Sequence, residues 1–309
     1  MTRDSDSMRR DGVRLVEVGP RDGLQNEPAH LSTADKLGFI ERLARTGLTD
    51  IEVTSFVSPR AVAQLADAER VWAGLPETPR VRFSALVPNA RGLERAVQCG
   101  VKRIAVFTAA SDRFAQNNIR MTVEQSLRVF ESVVRDALAA GMTVRGYVST
   151  AFVCPFEGDV EPRRVRDVAT RLLAMGVDEV AISDTVGAAS PVDIERAVAC
   201  LLEEIDIGRI ALHLHDTYGT GLANVYAGYR FGVRTFDGSC GGLGGCPFAP
   251  GAAGNCATED LVYLFERMGV ATGVHLDKLV SAAGFAASVL GYEPTSRQYR
   301  RLAKSPTPP

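Results

Sequence analysis

The sequence predicts a (β/α)8 barrel with a helical extension at its C-terminus, and three observations lead there. Runs of β-branched and apolar residues recur eight times, each followed by a segment of helical period. The connections are short and the strand runs are almost continuously apolar, as strands covered on both faces must be. The length, 309 residues, suits one large barrel domain. Eight strand-then-helix units in order close most simply into a ring of parallel strands. A doubly wound open sheet is the runner-up. Its Gly-x-Gly-x-x-Gly turn is missing after the first strand, where Gly19-Pro20-Arg21-Asp22-Gly23 stands.

The first strand is read at 13–18, and the helix after it near 32–47, with Ser32 or Thr33 as cap and Leu37, Ile40, Leu43 and Ala44 on one face. The second strand is 50–54, with a helix from about Pro59 to Trp72 that opens on a first-turn proline. Strand three is 81–87 with a helix at 90–99; strand four is 103–107, followed by a long loop and the helix 122–140. Strand five, 143–149, leads to helix 161–175, and strand six, 179–183, to helix 191–204. Strand seven is 209–214 with a helix near 219–231; strand eight is 234–236 with a helix near 257–267. Gly141, Gly176 and Gly232 end the helices before them. One further helix and a Pro-rich tail fill about 275–305. The organisation expected is a disordered N-terminus at 1–11, a single catalytic domain at 12–292 and a tail at 293–309.

A formal net charge of −2 with 46% apolar residues describes an ordinary globular chain without the basic excess that nucleic acid demands. No apolar run could span a bilayer, so no membrane association is expected. Asp4, Asp6 and Asp11 lie among the N-terminal arginines, which a transit peptide would avoid. The cysteines Cys99, Cys154, Cys200, Cys240, Cys246 and Cys256 show neither CxxC pairs nor disulfide density. A reducing cytoplasm and a small-molecule partner follow.

Barrel sites sit at the carboxyl ends of the strands. The polar residues there are Arg21 and Asp22 after strand one, Glu52 in strand two, Ser111 and Asp112 after strand four, Asp184 and Thr185 after strand six, His213 and His215 ending strand seven, and Cys246 and Asn255 in the last loop. His213 and His215 lie two apart, so strand alternation turns both to the barrel mouth. With Asp22 and Asn255 they form a nitrogen and oxygen set without thiolate, suited to Mg²⁺ or Mn²⁺, although ligand type alone also admits zinc. Arg21 can stabilise a developing oxyanion or pair structurally with Glu52 or Asp184, and both roles can hold at once. Glu52 needs a partner inside the mouth. Asp184-Thr185 either orients a histidine ligand or starts the following helix. The glycines of Gly241 to Pro247 allow either close backbone approach or a mobile lid over the mouth, with Cys246 at its tip as a proton donor or acceptor or as an inert thiol.

Together these residues resemble the 3-hydroxy-3-methylglutaryl-CoA lyases over about 13–290. The motifs are VEVGPRDGLQNE, IEVTSFVSP, VRGYVS, CPFEG, SDTVG, HLHDTYG, GLGGCPFAPGAAGN and ATEDLVYL. The resemblance implies metal ligation by Asp22, His213, His215 and Asn255, enolate stabilisation by Arg21, a supporting Glu52 and a loop-borne Cys246. It implies retro-Claisen cleavage of an acyl-CoA thioester to acetyl-CoA and a β-keto acid such as acetoacetate, as in leucine degradation and ketone body metabolism. A homodimer is expected from the family alone. Enolate protonation falls to Cys246 or His213.

Arg60-Ala61-Val62-Ala63 departs from the family's usual basic residue, Trp, Val and Pro, and Pro28, Gln116-Asn117, Ser183 and Cys240-Gly241 also differ. A missing Trp would open space for a larger acyl group, so a paralogue acting on a different 3-hydroxyacyl-CoA is an alternative. A Claisen-type synthase is another, against which Leu24-Gln25-Asn26-Glu27 and the short C-terminus argue. An oxo-acid aldolase or a metabolite-binding barrel without turnover completes the field; the intact ligand set argues against the last.

Overall fold

The computed structural model describes residues 12–244 and 254–303. The expected disordered segment 1–11, the end of the tail and Cys246 lie outside them. Eight parallel strands close into a barrel in chain order: β1 (Arg14–Glu17), β2 (Asp50–Ser55), β3 (Arg82–Leu86), β4 (Arg103–Ala109), β5 (Thr143–Ser149), β6 (Glu179–Asp184), β7 (Ile210–Leu214) and β8 (Thr235–Gly238). The ring shuts where β1 pairs with both β2 and β8, Val16 facing Asp50 and Asp237. Every residue of β2, β6, β7 and β8 is buried, including the polar Asp50, Glu52, Asp184, His213 and Asp237 among their apolar neighbours.

The outer face of each strand packs on helices and the inner face builds the barrel interior. Helices α1 (Thr33–Ala44), α3 (Ala90–Gln98), α5 (Val123–Ala139), α6 (Pro162–Ala174), α7 (Pro191–Leu201), α8 (Gly221–Arg230) and α9 (Thr258–Arg267) fall where the periodicity places them. Ser32 caps α1 by accepting from Asp35 N at 3.1 Å, and Thr122 and Ser190 form capping boxes with Gln125 and Asp193. Inside the barrel, Leu86, Ala105, Tyr147, Ala181 and Ala211 form a cluster separate from the main core. Three alanines in that layer leave room for long polar side chains, and Arg145, Tyr147 and Glu52 use it.

Three connections differ from the sequence expectation. The helix expected over 59–72 is a turn, a 3-10 segment (Ala63–Leu65) and the short α2 (Ala68–Ala73). Polar ties win there: Gln64 donates to Glu27 O and Ala29 O, and buried Lys36 reaches Gln64 O and Asp67. The loop after β4 contains α4 (Asp112–Ile119), whose N-terminus Ser111 caps from 3.2 Å. The C-terminal extension is two helices, α10 (Leu276–Leu290) and α11 (Arg297–Ala303), broken at Gly291 with φ of 80°. Phe285 of α10 lies 3.9 Å beneath the Arg42 guanidinium of α1, so the extension is packed on the barrel wall.

Candidate active site

The turn after β1 aims two side chains at the mouth. Val18 O accepts from Arg21 N, Asp22 N and Gly23 N at 3.1, 2.7 and 3.2 Å, winding Gly19–Gly23 into one π-turn. Gly19 is required because a Cβ there would sit 2.6 Å from Glu17 Oε1. Arg21, 6% exposed, donates through Nε to Glu52 on β2 and through Nη1 to Asp22. Asp22 also accepts from Gln25 Nε2 at 3.0 Å and Asn255 Nδ2 at 2.9 Å. Burial pushes the Asp22 carboxyl up, but Arg21 and the two imidazoles outweigh it and hold the pKa at about 2.

His213 and His215 project from the end of β7 to the same side, with Nε2 atoms 3.3 Å apart and Asp22 Oδ2 3.8 Å from His213 Nε2. The ligand-type atoms of Asp22, His213 and His215 all lie within 4.8 Å of one another. Asn255 is brought beside them by an antiparallel bridge to His215, supported by Asp216 N to Gly254 O and Cys256 N to Leu214 O at 2.7 and 3.0 Å. The glycine-rich segment closes against the same group: Gly244 has φ of 96°, and a Cβ there would meet Asn255 Nδ2 at 2.8 Å.

A cation fits this donor set. His213 Nδ1 lies 3.1 Å from Asp237 Oδ2; the carboxylate can only accept, so Nδ1 carries the proton and Nε2 is bare. His215 is neutral, burial and the adjacent His213 lowering its pKa to about 4. Among the described residues its buried Nδ1 has no hydrogen-bond partner. If His215 Nε2 donates to His213, Nδ1 is a bare acceptor; if Nδ1 holds the proton, two lone pairs face each other at 3.3 Å. A divalent ion shared with Asp22 resolves that second arrangement.

The partners of these groups include residues that the sequence reading missed. Asp237, 2% exposed, holds His213; the sequence reading ended strand eight at Phe236, one residue short of it. Arg145 grips Asp237 with two nitrogens, at 3.0 and 2.7 Å, and the same guanidinium reaches Tyr147 OH at 2.9 Å. Tyr147 donates to Glu52 Oε2 at 3.2 Å and packs edge-on against the His213 ring. Glu52 therefore has the buried partners its position requires, Arg21 and Tyr147. A charged residue in the middle of the apolar strand VRGYVS was the available signal for Arg145.

Asp184 and Thr185 do not orient a histidine. Asp184 accepts from Gly187 N, Ala188 N and Ala189 N at 3.0 to 3.2 Å and shapes the turn into α7; burial still raises its pKa to about 6. Thr185 Oγ1 accepts from Thr150 N. Ser111 and Asp112 are likewise structural, the first capping α4 and the second accepting from Val123 N at 2.8 Å. The root of the glycine-rich segment is held by two fully buried carboxyls. Glu17 accepts from Gly19 N, Cys240 N and Thr258 Oγ1, and Glu259 from Gly241 N and Cys240 Sγ. Among the described residues, neither faces a cation. Burial raises Glu17 to about 7 and Glu259 to about 8.

The HMGL-like family model matches residues 12–285. The chain is 46% identical over 293 residues to a hydroxymethylglutaryl-CoA lyase of Bacillus subtilis, covering 95% of this chain and 98% of that one. It is 46% identical to the cytoplasmic 3-hydroxy-3-methylglutaryl-CoA lyase of Rattus norvegicus, over 92% of this chain and 83% of that one. Among solved structures, the Bacillus subtilis HMG-CoA lyase superposes with a TM-score of 0.94 at 44% identity, covering 95% of this chain and 99% of that one. An HMG-CoA lyase from Acinetobacter baumannii in complex with coenzyme A and 3-methylmalate gives 0.91 at 38% identity, covering 100% of this chain and 99% of that one.

Proposed function

The chain belongs to the HMG-CoA lyase family, and from that premise we propose that it cleaves 3-hydroxy-3-methylglutaryl-CoA to acetyl-CoA and acetoacetate at the mouth formed by Arg21, Asp22, Glu52, His213, His215 and Asn255. The observation that carries the reading is the convergence of Asp22, His213 and His215 within 4.8 Å, directly beside a buried arginine. Asp22, His213, His215 and Asn255 would hold a divalent ion, Mg²⁺ or Mn²⁺ by the hardness of the set, and when bound it would lower the pKa of the substrate's tertiary hydroxyl.

The rest of the chemistry belongs to the chain. Cleavage of the C–C bond sends electrons into the thioester, and the enolate oxygen needs fixed positive charge. Arg21 supplies it: among the described residues Glu52 and Asp22 engage Nε and Nη1, and Nη2 is the nitrogen proposed for the oxyanion. Burial opposes the Arg21 charge, but Glu52 and Asp22 raise its pKa well above the usual arginine value, so the group stays cationic throughout the cycle. Asp237 fixes the His213 ring with Nε2 toward the substrate side. The hydroxyl proton leaves to a base at the mouth and the enolate carbon takes one back. Of the two candidates for that return, Cys246 and His213, Cys246 is favoured, because His213 Nε2 would face the ion and its Nδ1–H is held by Asp237. Coenzyme A as the substrate's carrier is supported by the Acinetobacter relative's complex. The compartment proposed is the cytoplasm, consistent with the free thiols of Cys99, Cys154, Cys200, Cys240 and Cys256. The assembly proposed is a homodimer, and the pathway role leucine breakdown and ketone-body formation.

The test is C–C cleavage of 3-hydroxy-3-methylglutaryl-CoA, read as acetyl-CoA and acetoacetate formed, by protein stripped with chelator and resupplied with Mg²⁺ or Mn²⁺. Turnover should return with the metal and fall by about 10³-fold or more in Asp22→Ala and His213→Ala, matching the several kcal/mol a catalytic ion supplies. Cleavage that persists in chelator, or in Asp22→Ala, rejects the site. The 3-methylmalate in that same relative, with Arg60–Ala63 in place of the usual sequence, favours a second reading in which a differently branched 3-hydroxyacyl-CoA is turned over better. Relative kcat/KM across a substrate panel decides between them.

A further inference from the structure

Two arms of the mouth, the one that holds the ligand histidine and the one that holds the enolate-stabilising arginine, meet at a single residue beneath them. Arg145 donates Nη2 to Asp237 Oδ1 at 2.7 Å, Nη1 to Asp237 Oδ2 at 3.0 Å and to Tyr147 OH at 2.9 Å, and Nε to Glu179 Oε1 at 2.9 Å. On one arm Asp237 Oδ2 accepts from His213 Nδ1. On the other, Tyr147 donates to Glu52 and Glu52 accepts from Arg21. We propose that Arg145 is a positioning residue for the lyase reaction, setting the direction of every hydrogen bond in both arms so that His213 presents a bare Nε2 and Arg21 a fixed charge.

The argument is one of donors and acceptors. A guanidinium only donates, so Tyr147 oxygen must accept from Arg145 and turn its proton to Glu52. Glu52 is then an acceptor at both oxygens, from Tyr147 and Arg21, and cannot rotate away without losing one. On the other arm the bidentate grip removes the freedom of the Asp237 carboxylate to swing, and a locked carboxylate beside His213 permits one tautomer only. Glu179 fixes the third edge of the guanidinium and is itself paired with Arg14, so the hub is anchored on the barrel floor. A lysine retains the charge, but its single ammonium cannot occupy the two-nitrogen fork and the tyrosine hydroxyl together.

The proposal rests on the lyase reading of the site, and its test separates the two by measuring metal affinity apart from turnover. Mn²⁺ binding by calorimetry and HMG-CoA cleavage are measured for Arg145→Lys, Asp237→Asn and the double variant, with Tyr147→Phe as the probe of the second arm. Arg145→Lys is expected to weaken Mn²⁺ binding and lower kcat by about 10- to 100-fold each. Asp237→Asn should weaken Mn²⁺ comparably, and the double variant should bind Mn²⁺ little more weakly than either, since both act on His213 through one contact, and this non-additivity is read in Mn²⁺ affinity alone. Tyr147→Phe should lower kcat while leaving Mn²⁺ affinity within about threefold. Unchanged Mn²⁺ affinity in folded Arg145→Lys overturns the proposal, as do multiplicative losses in the double variant. If Arg145→Lys does not fold, Asp237→Asn decides: full Mn²⁺ affinity there overturns it equally. Loss of Mn²⁺ affinity in a protein whose parent binds metal but shows no cleavage supports the positioning role and rejects the substrate assignment.

Discussion

At the mouth of the barrel Asp22, His213 and His215 converge with more lone pairs than protons to fill them, whereas at the floor Arg14, Asp50, Arg82 and Glu179 each face an opposite charge. The same interior therefore contains two kinds of polar cluster. Floor groups complete one another and need nothing from outside. On the proposed reading a cation and a substrate oxygen complete the mouth groups, which would distinguish a binding site from a structural ion network in this chain. Arg145 lies between, closed on Glu179 below and serving Asp237 and Tyr147 above.

The largest test of that difference is Arg21→Met. Removing the guanidinium takes away the oxyanion partner, so kcat should fall by about 10² to 10³, with Mn²⁺ affinity reduced much less because the ligands remain. The change also leaves Glu52 buried with only Tyr147 beside it, and breaking such a pair costs about 3–5 kcal/mol of stability. Steady-state kinetics and urea unfolding read the two effects separately. A variant that loses metal binding as completely as turnover would show that Arg21 organises the ligands and does not act on the enolate.

Much of the mouth was legible before any coordinates. His213 and His215 are two apart at a strand end, and Arg21-Asp22 follows the first strand, so alternation and barrel topology alone bring them to one rim. What stayed hidden depends on which inward residues meet across the barrel. Asp237 and Arg145 lie on β8 and β5, 92 residues apart, and no local pattern says that they touch. The β6 aspartate Asp184 was read as a candidate to orient a histidine and Asp237 was not, and only the geometry shows that Asp184 is spent on three backbone N–H groups. The helix expected at 59–72 failed for a related reason: Gln64 and Lys36 reach distant carbonyls and override a local periodicity.

Glu17 and Glu259 sharpen the comparison, because among the described residues no cation faces these buried acids, and burial shifts both toward the protonated form. Glu259 has a folded pKa of about 8 against 4.5 for a free side chain. Between those values the folded chain holds a proton that the unfolded chain has released. The stabilisation is thus complete below about pH 4.5 and is lost as pH rises through 8, with a slope approaching 1.4 kcal/mol per pH unit at about the middle of that window. Burial of Glu17, with its pKa raised to about 7, adds in the same direction. Urea midpoints of wild type and Glu259→Gln measured from pH 5 to 9 should show the wild type losing stability faster. Parallel curves would mean that Glu259 is ionised in the fold and that Gly241 N and Cys240 Sγ are sufficient to hold its charge.

The smallest effect belongs to the floor, and it is the one that isolates the contrast. Asp50 accepts from Arg82 Nη2 at 2.6 Å and Thr49 Oγ1 at 2.8 Å, with Arg14 Nη1 3.6 Å away. Asp50→Asn preserves shape and one acceptor but removes the charge. Arg82 is 45% exposed at its side chain and recovers water, and Arg14 keeps Glu179 and Thr235. The loss should be about 1–2 kcal/mol, the range of a hydrogen bond to a charged group softened by solvent. Nothing in the change reaches Asp237, because Arg145 keeps all four of its acceptors. Turnover and Mn²⁺ affinity should therefore remain within about twofold of wild type, while the thermal midpoint drops by a few degrees, as expected for a loss of that size in a chain this long. A tenfold fall in either functional quantity, at an unchanged midpoint, would show that charge on the floor is felt at the mouth and that the two clusters are one electrostatic unit.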